Sequence, residues 1–86
     1  MFNACGHGFS LTLDNGYRVS VKFGGGYYCE KRDERIDSPQ ASSCIDAETA
    51  IISPSGKLID YKDECVQGYQ SVQDIIDTLN YVSKFK

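Results

Sequence analysis

Apolar and polar positions alternate along two neighbouring runs near the start of the chain. In "FSLTLDNGYRVSVKF", Phe9, Leu11 and Leu13 alternate with Ser10 and Thr12. After "DNG", Tyr17, Val19, Val21 and Phe23 alternate with Arg18, Ser20 and Lys22. A period of two places successive side chains on opposite faces of a strand. The two runs therefore predict a β-hairpin closed at Asn15-Gly16, both of which tolerate the positive φ of a tight turn.

A second hairpin follows the same logic. Ala47 to Ile52 is strand-like, "PSG" supplies a turn, and Leu58 to Tyr61 returns. Val66 to Tyr69 reads as a short extended segment. The period then changes. Val72, Ile75, Ile76, Leu79, Val82 and Phe85 follow the spacing of one helical face, while Gln73, Asp77, Asn80 and Lys84 fall opposite. This predicts a helix from about Val72 to Phe85. Ser71 is placed to cap it, and Asp74 sits near its positive end. Lys84 and Lys86 are placed to complement its negative end.

These elements define an α+β fold, an antiparallel sheet of about four or five strands with one C-terminal helix packed on one face. With 86 residues the chain forms a single domain, residues 1–86, with a thin core. A helix about 20 Å long covers only one face of such a sheet. The uncovered face, or an edge strand, is then available to a partner or to a second copy, and a homodimer would suit a core this small.

Composition narrows the functional classes. Hydrophobic residues make up 41 % and charged residues 24 %, ordinary values for a globular protein. Twelve acidic residues outnumber nine basic ones, for a formal charge of -3. That balance argues against generic nucleic-acid binding, which needs a basic face. It suits a basic protein partner. No apolar run approaches the roughly 18 residues of a membrane span. "MFNACGHGFS" has neither the basic start nor the apolar centre of a signal peptide, so the expected location is cytoplasmic.

Four cysteines, Cys5, Cys29, Cys44 and Cys65, contain no C-x-x-C pair. Free thiols are the simplest reading, since cysteine packs as a small hydrophobe. Disulfides, or a Cys/His metal site using His7, remain open, but no metal ligand set or cofactor is assigned. Cys29 would need a base to act as a nucleophile, and His7 is the only histidine. No serine elbow, H-E-x-x-H or other catalytic constellation is present, so the chain is expected not to be an enzyme.

The densest candidate for binding is "VKFGGGYYCEKR" with the charged run after it. Gly24, Gly25 and Gly26 match neither phosphate-loop nor dinucleotide fingerprint. Their first role is to bend or bulge a strand. Exposed backbone N–H groups there would also suit a ligand contact. Tyr27 and Tyr28, adjacent on a strand, point to opposite faces, so one is expected to be displayed as an interface anchor. Arg32 and Arg35 carry forks that fit phosphate or carboxylate. These seven residues are the expected binding site.

The segments "NGYRVSVKFGGGYYCEKR", "DAETAIISPSGKLI" and "VQGYQSVQDIIDTLNYV" together resemble a group of small phage- and prophage-encoded accessory proteins. Those proteins pair a glycine-and-cysteine hairpin segment with a C-terminal helix. The resemblance runs from Gly8 onward. It implies a virus-borne protein acting in the bacterial host cell. Its partner would be a host defence protein, such as a CRISPR effector component, blocked by contact. An alternative on the same analogy is sequestration of a small nucleotide signal. A cysteine-dependent enzyme and a virion or lysogeny accessory protein stay open beside these.

Overall fold

The computed structural model describes residues 1–5, 8–23 and 45–85, with side chains at 3–5 outside that description. Among the described residues, six strands form one antiparallel sheet: β1 (Phe2–Cys5), β2 (Gly8–Thr12), β3 (Arg18–Lys22), β4 (Ala47–Ile52), β5 (Leu58–Ile59) and β6 (Gln67–Gln70). One helix, α1 (Val72–Ser83), follows. The strand order is β1-β2-β3-β4-β5, and β6 pairs with β4 as well. The α+β class and the C-terminal helix are as expected. The extra strand is β1, whose register runs from Phe2 opposite Leu11 to Cys5 opposite Gly8. No described helix is long and apolar enough to cross a membrane.

The register explains the core. Val19 lies opposite Ile51 and Val21 opposite Thr49, so the odd-numbered positions of β3 and β4 share one face. Val19, Val21, Ala47 and Ile51 are buried there, with Val82 of the helix closing over them. The opposite face carries Ser10, Arg18, Ser20, Lys22, Glu48 and Ala50 by the same register. It is mostly polar, and by the same register it also carries Ile52, opposite Arg18, and Leu58, opposite Ile52.

Both hairpins close with the same three-residue turn. Leu13 and Tyr17 pair while Gly16 N–H donates to the Leu13 carbonyl. Ser53, Gly56 and Lys57 repeat this pattern. In such a turn only the last residue is left-handed. Gly16 has φ of 86° and Gly56 of 90°. Asn15, expected at positive φ, keeps an ordinary backbone instead. Its side chain is thereby free to reach the helix. Nδ2 donates to the carbonyls of Val82 at 2.9 Å and Phe85 at 3.0 Å. Oδ1 accepts from the Tyr17 N–H.

The helix termini divide the work. At the start, Ser71 Oγ accepts from Asp74 N–H and the Asp74 carboxylate accepts from Ser71 N–H, a complete capping box. At the end, the last turn carries no basic residue, and Lys84 serves as the C-cap. Asn15 takes up terminal carbonyls there, where the sequence suggested lysines. Aromatic contacts anchor the same end. Tyr61 stacks on Tyr81 at 4.8 Å, and Phe85 meets Tyr81 and Tyr17 edge-on at 4.9 Å.

The capping box has a pH signature. The Ser71 backbone N–H, and then its hydroxyl, hold the Asp74 carboxyl below its ordinary value. A depressed carboxylate contributes stability that is present above its unfolded value, about 4, and is lost as pH falls through the folded value. Asp74→Asn is therefore expected to lower stability at neutral pH, where the carboxylate's contribution is present in full, and to flatten part of the acid limb. Urea midpoints measured across the acid range check this; an unchanged acid limb would contradict it.

Candidate apolar docking groove

The helix is tied down at its C-terminal end and less covered at its N-terminal end. Val82 and Thr78 are fully buried. Thr78 takes the central position by satisfying its own hydroxyl, which donates to the Asp74 carbonyl at 2.9 Å. Ile76 lies about 120° around the helix from Val82, so it cannot face the same strands. It remains 44 % exposed, and Val72 is 70 % exposed. The apolar stripe is wider than the sheet contact it makes.

The surplus forms one wall of a groove. Val72, Ile75 and Ile76 face Phe9, Val21 and Phe23 of the first hairpin across a cavity of about 330 Å³. Ile45 and Ala47 complete the apolar lining, and Asp46 and Gln70 are its polar members. Phe9 shares the helix side of the sheet with Val21, its register partner, yet stays 37 % exposed. Ile45, at the entry to β4, is 73 % exposed. The volume is at the lower end of what ordinary ligand pockets occupy. The lining provides burial and dispersion, with little beyond Asp46 and Gln70 to orient a polar group. Gln70 gives its amide N–H to the Gly68 carbonyl. Its buried Oε1 has no hydrogen-bond partner among the described residues.

The expected binding residues Gly24, Gly25, Gly26, Tyr27, Tyr28, Arg32 and Arg35 all lie outside the described residues, as do His7, Cys29 and Cys44. Phe23 and Ile45, which bracket residues 24–44 in the sequence, both line the groove. Cys65 is a free, exposed thiol. The groove residues themselves were visible in the sequence only as core candidates. The available signal was the width of the helical stripe, since Val72 and Ile76 lie at one margin of it. Comparison with protein-family models, curated proteins and solved structures finds no match for this chain.

Proposed function

We propose that this chain is a non-enzymatic binding protein that seats apolar side chains of a partner protein in the groove between α1 and the first hairpin. By that contact it blocks a host antiviral defence protein. The observation that carries the reading is the convergence of exposed Phe9, Ile45, Val72 and Ile76 around one apolar cavity. Contiguous exposed apolar surface of this kind marks interaction sites. The formal charge of -3 favours a partner whose apolar anchors are flanked by basic residues. The defence role rests on the resemblance to phage accessory proteins, which supplies the cellular setting in which such a contact would act.

The test is capture from lysate of bacteria that carry such a defence system, using the native chain, Ile76→Asp and Lys57→Glu as baits. Ile76 and Lys57 are both exposed, so both variants should fold. A defence protein held by the native chain and by Lys57→Glu, but weakened about 30-fold or more by Ile76→Asp, is the expected result for an anchor position. A bait that returns clean, or equal capture by Ile76→Asp, would overturn the reading. Light scattering of the purified chain adds a separate outcome. A dimer that Ile76→Asp dissolves would assign the groove to a second copy instead.

A further inference from the structure

Asn15 and Gly16 are adjacent in the sequence and joined in the structure to a part of the chain almost seventy residues away. The pair has a reactivity of its own. When the backbone is free, the Gly16 nitrogen loses its proton and attacks the side-chain carbonyl carbon of Asn15. A C–N bond forms, the Asn15 amide leaves as ammonia, and a cyclic imide remains. One water then opens the imide at either carbonyl, giving aspartate or isoaspartate. Glycine imposes no side chain on the attacking nitrogen, which makes this step easiest after asparagine.

The fold holds both reacting groups away from this path. Gly16 N–H is committed to the Leu13 carbonyl at 2.9 Å. Asn15 Nδ2 is fixed by the carbonyls of Val82 and Phe85, and Oδ1 by the Tyr17 N–H. The side chain is thus aimed at the helix end and anchored on three partners. Ring closure requires a near-attack geometry, which those bonds exclude until the turn opens. Water is not the limiting reagent, because Asn15 also borders an open recess lined by Thr12, Leu13, Asp14 and Ser83.

The product cannot resume the role of the asparagine. A carboxylate accepts hydrogen bonds and donates none, so the Val82 and Phe85 carbonyls would face a negative charge. That charge would also stand at the negative end of the α1 dipole. Isoaspartate would in addition insert a carbon into the main chain of a three-residue turn. Either product breaks the link between the first hairpin and the helix.

We propose that Asn15-Gly16 is a self-acting modification site, shielded by the native fold, whose conversion after opening prevents the chain from refolding to its native stability. The site gives each molecule a one-way record of having unfolded. This inference is independent of the groove and of any partner.

The experiment follows conversion of the intact chain at mildly alkaline pH, in buffer and in unfolding concentrations of urea. Peptide mapping by mass spectrometry, with fragmentation to separate Asn15 from Asn3, reads the conversion. Conversion at Asn15 is expected to be at least about tenfold slower in the folded chain, because it must wait for local opening. Gly16→Ala should slow it in urea, which ties the reaction to this pair. The converted chain, purified and returned to buffer, is expected to melt at a lower urea midpoint, and Asn15→Asp should reproduce the loss. Equal rates in buffer and urea would overturn the proposal. So would a converted chain that refolds with the native midpoint.

Discussion

Ile51→Ala is expected to remove about 3 kcal/mol of folding stability, the range measured for fully buried aliphatic side chains cut back to alanine. Ile51 is 0 % exposed and is the largest of the fully buried side chains among the described residues. It lies opposite Val19 on β3 and opposite Ile59 on β5, with Val82 of the helix in the same cluster. Four elements meet on this one side chain, so none can close the space without leaving another partner. The core is also thin. Only Val19, Val21, Ala47 and Val82 accompany Ile51 among the described buried hydrophobics. A domain of 86 residues holds roughly 4–13 kcal/mol in total, so the loss is a large share of it. With a urea slope of about 1.5 kcal/mol/M, the midpoint should fall by about 2 M. Ile76→Ala serves as the comparison. Ile76 is exposed at the groove, and its truncation should change stability by no more than about 0.5 kcal/mol. Two isoleucines of equal hydropathy would then separate structural burial from binding surface. If Ile51→Ala moved the midpoint no further than Ile76→Ala, the packing described around β4 would be wrong.

The first hairpin and the helix were legible from their periodicity, and the second hairpin from the run Ala47–Ile52 and the turn residues after it. The alternation of β2 and β3 survives in the register of Phe9 opposite Val21 and Leu11 opposite Val19. Ser71 and Asp74 form the cap that their spacing suggests. Other features depend on contacts that no local pattern encodes. β1 is a strand only because β2 offers it an edge. Thr78 is buried in a position that hydropathy assigns to solvent, and it tolerates burial through its bond to the Asp74 carbonyl. Asn15 was readable as a turn residue, but its reach to Val82 and Phe85 depends on where the helix ends. The groove was illegible for a related reason. Phe9 and Ile76 have the residue type of core positions. Only the placement of the helix along the sheet leaves them at a rim.

Gly8→Ala is the second large effect, and its sign discriminates between two accounts of that glycine. Alanine usually stabilises a strand position, since glycine loses more backbone freedom on folding, and the gain is about 0.5–1 kcal/mol where the backbone allows it. Gly8 does not stand in open space. A Cβ there would run into the carbonyl oxygen of Val21 and would lie 3.0 Å from Lys22 Cα. Both contacts are main-chain atoms of β3, which is hydrogen-bonded to β2 and to β4. Neither can rotate away as a side chain could, so the strands must part. The expected result is a loss of about 2 kcal/mol, in the range of overpacked sites. The displacement would also carry Phe9, the next residue and part of the groove wall. The partner binding proposed for the groove should then weaken together with stability, whereas Ile76→Asp should affect that binding alone. A Gly8→Ala chain that melts at or above the native midpoint would mean that β2 and β3 lie farther apart at Gly8 than the register places them. Phe9 would then have to be positioned by something other than the close approach of these two strands.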